Sequence, residues 1–187
     1  MDRIDSIPIS EDFYNSETNA PFTTCLMCHQ SLEETMYLVE KSFRNIKALN
    51  TREIIFEYAM CMNCATTMHF ELSEESRARI ASYMAAHVQR KEYSASSFEE
   101  ERKSTLGQCI VHSTSLEQST EYSIYALCNG HQMLLGEFPY ALSGEAQDEI
   151  MQLLSAKSLE VMDDFIGSHF SGPPEVMEIL RRRPILI

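Results

Sequence analysis

A chain of 187 residues, 44% hydrophobic and 23% charged, is long enough to bury a sizeable core, and no stretch of it approaches the roughly 18 consecutive apolar residues of a membrane span. Its formal net charge of −13 repels a phosphate backbone, so general nucleic-acid binding is disfavoured. Residues 98–170 carry −9 of that charge, and the main basic cluster, Arg181-Arg182-Arg183, is too short for a phosphate track and reads as a solvated helix end.

The N-terminus, Met1-Asp2-Arg3-Ile4-Asp5, has no apolar stretch of signal-peptide type. A cytoplasmic, reducing location is expected, where cysteines serve as metal ligands rather than disulfides. Residues 1–20 form an acidic arm without periodicity, expected to be disordered or loosely docked. Cys25-Leu26-Met27-Cys28 follows. Next, Ser31-Leu32-Glu33-Glu34 has capping-box form, and Met36, Val39, Phe43 and Ile46 fall at helical spacing. That pattern predicts a helix to about Leu49. Residues 53–60 are β-branched and aromatic and read as a strand leading into Cys61-Met62-Asn63-Cys64. Ser73 can cap a helix striped by Ile80, Met84 and Val88.

Residues 90–103 are charged and Ser-rich and read as a connector, with the domain boundary at 94–103. Beyond it, residues 121–128 read as a strand and Asn129-Gly130 as a hairpin turn, with residues 131–140 returning antiparallel. Ser143 can cap a helix carrying Ile150, Leu153 and Leu154. Another helix is expected from Ser158, with Leu159, Met162, Phe165 and Ile166 on one face. Gly172-Pro173-Pro174 stops the chain, and Pro174 opens a last short helix through Arg183. The end, Pro184-Ile185-Leu186-Ile187, is apolar enough to dock.

Two Cys-x-x-Cys pairs in one short chain point to a tetrahedral zinc site made by Cys25, Cys28, Cys61 and Cys64. Thioredoxin-like redox chemistry would need a βαβ context that the pattern lacks. A second set follows from internal similarity. Residues 25–33 align without a gap on 109–117, residues 58–64 on 125–131, and Leu72-Ser73 on Leu142-Ser143. This places Cys109, His112, Cys128 and His131 opposite the four cysteines, and all four are types that zinc accepts. The expected fold class is therefore α+β, built from two pseudo-repeated zinc-knuckle units of small antiparallel hairpins with packed helices. The units span 21–93 and 104–170, and residues 171–187 add a short helix and tail.

The paired ligands resemble those of zinc-ribbon and treble-clef proteins, in which two knuckles grip one ion beside a hairpin or helix. The resemblance covers the ligand positions and their turns, and it implies structural zinc rather than a particular activity. This chain departs from the usual pattern in lacking Gly after each Cys pair.

The reading of function is a non-enzymatic zinc-binding module, an intracellular adaptor or regulator with a protein partner, no membrane and no nucleic acid. No catalytic or further cofactor-binding residue is assigned. One alternative is a zinc-dependent hydrolase-type enzyme using an open second site, with Glu137 or Glu145 as base. Another is a redox- or zinc-responsive switch in which thiolate oxidation ejects the metal.

Overall fold

In the computed structural model, which describes residues 5–88 and 94–183, the N-terminal arm is tied down from residue 5 onward. Strand β1 (Ser6–Pro8) pairs antiparallel with residues 132–134. Ser10 then caps a 3-10 turn, Glu11–Phe13, whose Phe13 is fully buried. Past it, the Lys41 ammonium donates to the Tyr14 carbonyl and pairs with Glu57 at 3.0 Å. Glu57 also accepts from the amide and hydroxyl of Ser16, at 2.7 and 2.6 Å. Burial opposes ionisation of Glu57, but Ser16 and Lys41 outweigh it and hold the carboxyl below its usual range. A nearly buried ion pair survives only with such additional hydrogen bonds, and here the arm supplies them.

Residues 36–46, expected as a helix, are strand β2 (Met36–Ile46). It runs antiparallel to β3 (Thr51–Cys61) on one edge and to β4 (Glu121–Asn129) on the other. The reason for the difference is burial on both faces. Tyr37, Val39, Lys41 and Phe43 are buried, and so are Glu40 and Ser42 between them. A doubly covered central strand loses the alternation that would announce it, while its apolar residues can still fall at helical intervals. The expected capping box is part of a turn instead, with Ser31 Oγ accepting from the Glu33 amide.

The strands expected from residues 53–60 and 121–128 are present as β3 and β4. At the Asn129-Gly130 turn β4 meets β5 (Gln132–Leu134) across the loop residues Gly130 and His131. Gly130 has φ +54°, and a Cβ there would lie 2.4 Å from the Glu33 carbonyl oxygen, so only glycine fits. Only residues 132–134 of the expected 131–140 return pair here; β6 (Tyr140–Ser143) pairs separately with the first half of β4. The strand order is β1-β5-β4-β2-β3 with β6 on β4, so one antiparallel sheet takes strands from both sides of the expected boundary.

Helix α1 (Met62–Glu71) follows β3 directly, and α2 (Glu74–His87) follows with Ser73 as its cap. The stretch read as a connector carries α3 (Ala95–Thr105), whose Ser94 and Ser97 form a reciprocal capping box. Then come α4 (Gly144–Met151) capped by Ser143, α5 (Ala156–His169) capped by Ser155, and α6 (Pro174–Arg181). The triple arginine is not uniformly solvated. Arg183 is buried, bonded to Glu121 and, at 3.3 Å, to Asp148. Residues 184–187, expected to dock, lie outside the described residues. Among the described residues no helix is long and apolar enough to cross a membrane.

Two helix starts face one another. Ser73 and Ser155 lie 2.8 Å apart through their hydroxyls. The Ser73 amide donates to Ser158 Oγ at 2.9 Å, and the Ser155 amide to Ser76 Oγ at 2.8 Å. In an ordinary capping box the third helical residue serves its own cap; here each serves the other helix.

At the middle of the sheet Glu40 pairs with Tyr125 across β2 and β4. Its carboxylate accepts from Tyr58 at 2.5 Å and Tyr125 at 3.0 Å. Burial pushes this carboxyl up to about 7, against the two tyrosine hydroxyls and the more distant Arg183. The folded state therefore holds a proton that the unfolded chain, ionising near 4.5, releases. The contribution of this group to stability is fully present below pH 4.5 and is lost as the pH rises through about 7. Glu40→Gln is expected to shrink the fall in unfolding free energy between pH 5 and pH 8 by about 2–3 kcal/mol, read from urea denaturation at fixed zinc. Identical pH dependence in the two proteins would show that Glu40 is not the group responsible.

Candidate metal centre

Cys25 and Cys28 sit in a tight turn closed by main-chain bonds. The Cys25 amide donates to Gln30 O at 3.0 Å, His29 N–H to Cys25 O at 3.0 Å, and Leu32 N–H to Thr23 O at 2.9 Å. His29 takes φ 58°, filling the left-handed position that a glycine would ordinarily hold. The Leu26 amide donates to Ala59 O at 2.9 Å, which fixes the turn to the end of β3. There Cys61 is the N-cap of α1, and Cys64 is three residues on, in its first turn.

The four sulfurs converge, all within 4.8 Å of one another. A tetrahedron with Zn–S of about 2.3 Å has sulfurs about 3.8 Å apart, and Cys28 Sγ and Cys61 Sγ are 3.8 Å apart. The donor set therefore fits zinc. Cys25 and Cys61 are buried, whereas Cys28 is exposed. Burial would raise the Cys25 thiol, but the amides of Cys28, Cys61 and Met27 outweigh it and bring it down to about 7. Burial and the neighbouring thiols push Cys64 up. Four such sulfurs ionise together only around a cation.

Among the described residues this is the only such group of three or more His, Cys, Asp or Glu side chains. Cys109, His112, Cys128 and His131 are all described and are not gathered. Cys109 Sγ accepts from Ser143 Oγ at 3.4 Å. His112 Nε2 lies 3.2 Å from Glu149 Oε2. Cys128 is fully buried in β4 opposite Tyr37, and burial pushes its thiol up to about 12. His131 is exposed in the hairpin loop. A cavity of about 340 Å³ beside the turn at 109–113 is lined by Met84, Val88, Cys109, Ile110, Glu137 and Phe138, among others. Neither His112 nor His131 lines it.

The turn at 109–113 nevertheless repeats the first bond for bond. Cys109 N–H donates to Thr114 O at 2.9 Å, Ser113 N–H to Cys109 O at 2.8 Å, and Leu116 N–H to Gly107 O at 2.9 Å. Ser113 takes φ 56° where His29 takes 58°. The Ile110 amide donates to Ala141 O at 2.9 Å, as Leu26 does to Ala59. Sequence reasoning missed α1 by reading residues 61–64 as a second loop-like knuckle; the signal was the unbroken, Pro- and Gly-free run 62–71.

Comparison with protein-family models, with curated proteins and with solved structures finds no match for this chain. The site therefore rests on its own geometry. Cys128→Ala and His131→Ala are each expected to leave the zinc content of purified protein unchanged. Loss of zinc from either variant, with the fold intact by circular dichroism, would show a ligand where the geometry places none.

Proposed function

We propose that Cys25, Cys28, Cys61 and Cys64 hold one structural zinc ion, and that the protein is a non-enzymatic, zinc-stabilised module acting through protein contacts in a reducing compartment. The convergence of four sulfurs at tetrahedral spacing carries this reading. Four thiolates leave zinc no open position for water or substrate, so the ion supplies folding energy rather than Lewis-acid chemistry at that site. The arrangement of turn, hairpin and helix, with one ligand pair from the turn and one from the helix start, supports the treble-clef resemblance. The acidic charge favours a partner with a basic surface over nucleic acid.

We infer also that the halves are duplicated units, in a register different from the aligned one. The supporting observations are the matching turns and the strand pairs they lock onto. Tyr37 faces Cys61 as Tyr122 faces Ser143, and Val39 faces Ala59 as Ile124 faces Ala141. Thus Tyr58-Ala59-Met60-Cys61 corresponds to Tyr140-Ala141-Leu142-Ser143, not to residues 125–128. Leu72-Ser73 corresponds to Leu154-Ser155, the other half of the serine cluster.

Metal analysis of purified protein is expected to give one zinc per chain. Cys61→Ser should lose the ion together with a stabilisation of order 10 kcal/mol. Since whole domains are stable by about 5–15 kcal/mol, at least the first turn and α1 should unfold, seen as lost helical ellipticity. Full-length protein without zinc, with unchanged melting after chelation, would sink the proposal.

A further inference from the structure

The corrected register assigns the second unit its own four ligand positions. Cys25 corresponds to Cys109 and Cys28 to His112, from the matching turns. Cys61 is the N-cap of α1, and Ser143 is the N-cap of α4. Cys64 and Ala146 are each three residues past that cap.

We infer that positions 109, 112, 143 and 146 are those of a second metal centre, whose donor set this chain has dismantled. The inference rests on the zinc reading of the first unit. Each substitution has a physical sense once no ion is there. A helix N-terminus without a nearby metal needs an acceptor for its free amides. Ser143 provides one, since its Oγ accepts from the Ala146 amide at 3.3 Å. The same hydroxyl donates to Cys109 Sγ at 3.4 Å, so a direct bond stands where two ligands would meet a shared ion. His112 Nε2 lies beside Glu149 Oε2, 3.2 Å away. Ala146, fully buried, offers no donor atom and joins Ile150, also fully buried, in the core. The second unit is held by packing where the first is held by its ion.

The turn at 109–113 and the cap at Ser143 follow those of the first unit, so restoring the side chains is expected to restore the site. Zinc accepts a Cys₃His as well as a Cys₄ set. Ser143→Cys/Ala146→Cys, which keeps Cys109 and His112, and the triple variant that adds His112→Cys, are each expected to bind one more equivalent than wild type. The readouts are zinc content and Co²⁺ titration followed by thiolate-to-metal and d–d absorption. A gain of one equivalent, read as the difference from wild type, supports the inference. Wild-type protein with no zinc would defeat the reading of the first site, yet the difference would still report on the second. Two folded variants with no gain overturn the inference. So does failure of both to fold with zinc present, because a rebuilt centre adds folding energy.

Discussion

Strand β2 is the constraint on which the remaining structure depends. It is paired on both edges, with β3 and with β4, and covered on both faces. Its Tyr37 lies against β4's Cys128, its Lys41 holds the N-terminal arm, and its Glu40 sits between Tyr58 and Tyr125. Because β2 belongs to the first half and β4 to the second, neither half has a finished sheet alone. Slipping β2 by one residue would exchange the environments of Glu40 and Lys41. Each has specific partners only where it stands, so the two charged residues fix register as well as being buried by it.

The same sheet delivers the cysteines. The Leu26–Ala59 hydrogen bond docks the first turn on β3 two residues before Cys61. The strand then ends, α1 begins, and the Cys61 amide donates to Cys25 Sγ at 3.4 Å. Two thiols thus come from a turn, one from a strand end and one from a helix's first turn. The amides of Cys28, Cys61 and Met27 hold the Cys25 thiol low against burial, so the fold contributes part of the charge stabilisation that a bound cation would complete.

Legibility followed from how locally each feature is encoded. Cys-x-x-Cys spacing places ligands within a few residues, so the four cysteines could be read directly. Serine caps at 73 and 143, Pro174, and the β-branched run of β3 are local as well. Strand β2 was hidden because burial on both faces is a tertiary fact that leaves no alternation in sequence. For the proposed duplication the register was ambiguous for a simpler reason: Tyr-Ala-Leu occurs twice, at 125–127 and at 140–142. The first is followed by Cys and the second by Ser, and matching ligand types favoured the first. The amide of Ile110, bonded to Ala141, and the pairing of β6 with β4 favour the second.

In the proposed register the antiparallel pairing of β2 with β4 brings Glu40 directly opposite the residue that would be its counterpart, Tyr125. The Ser73–Ser155 contact would likewise join counterparts, and their helices exchange capping residues. Where the counterparts of such a duplication meet, identical side chains would crowd or repel. Two glutamates at the pair 40 and 125 would set like charges against one another in the core. A glutamate facing a tyrosine instead makes a hydrogen bond, and the neutral serine pair shares its hydroxyls. If the halves are duplicated units as proposed, divergence is useful where counterparts meet, whereas at the proposed ligand positions it would remove a metal from one unit.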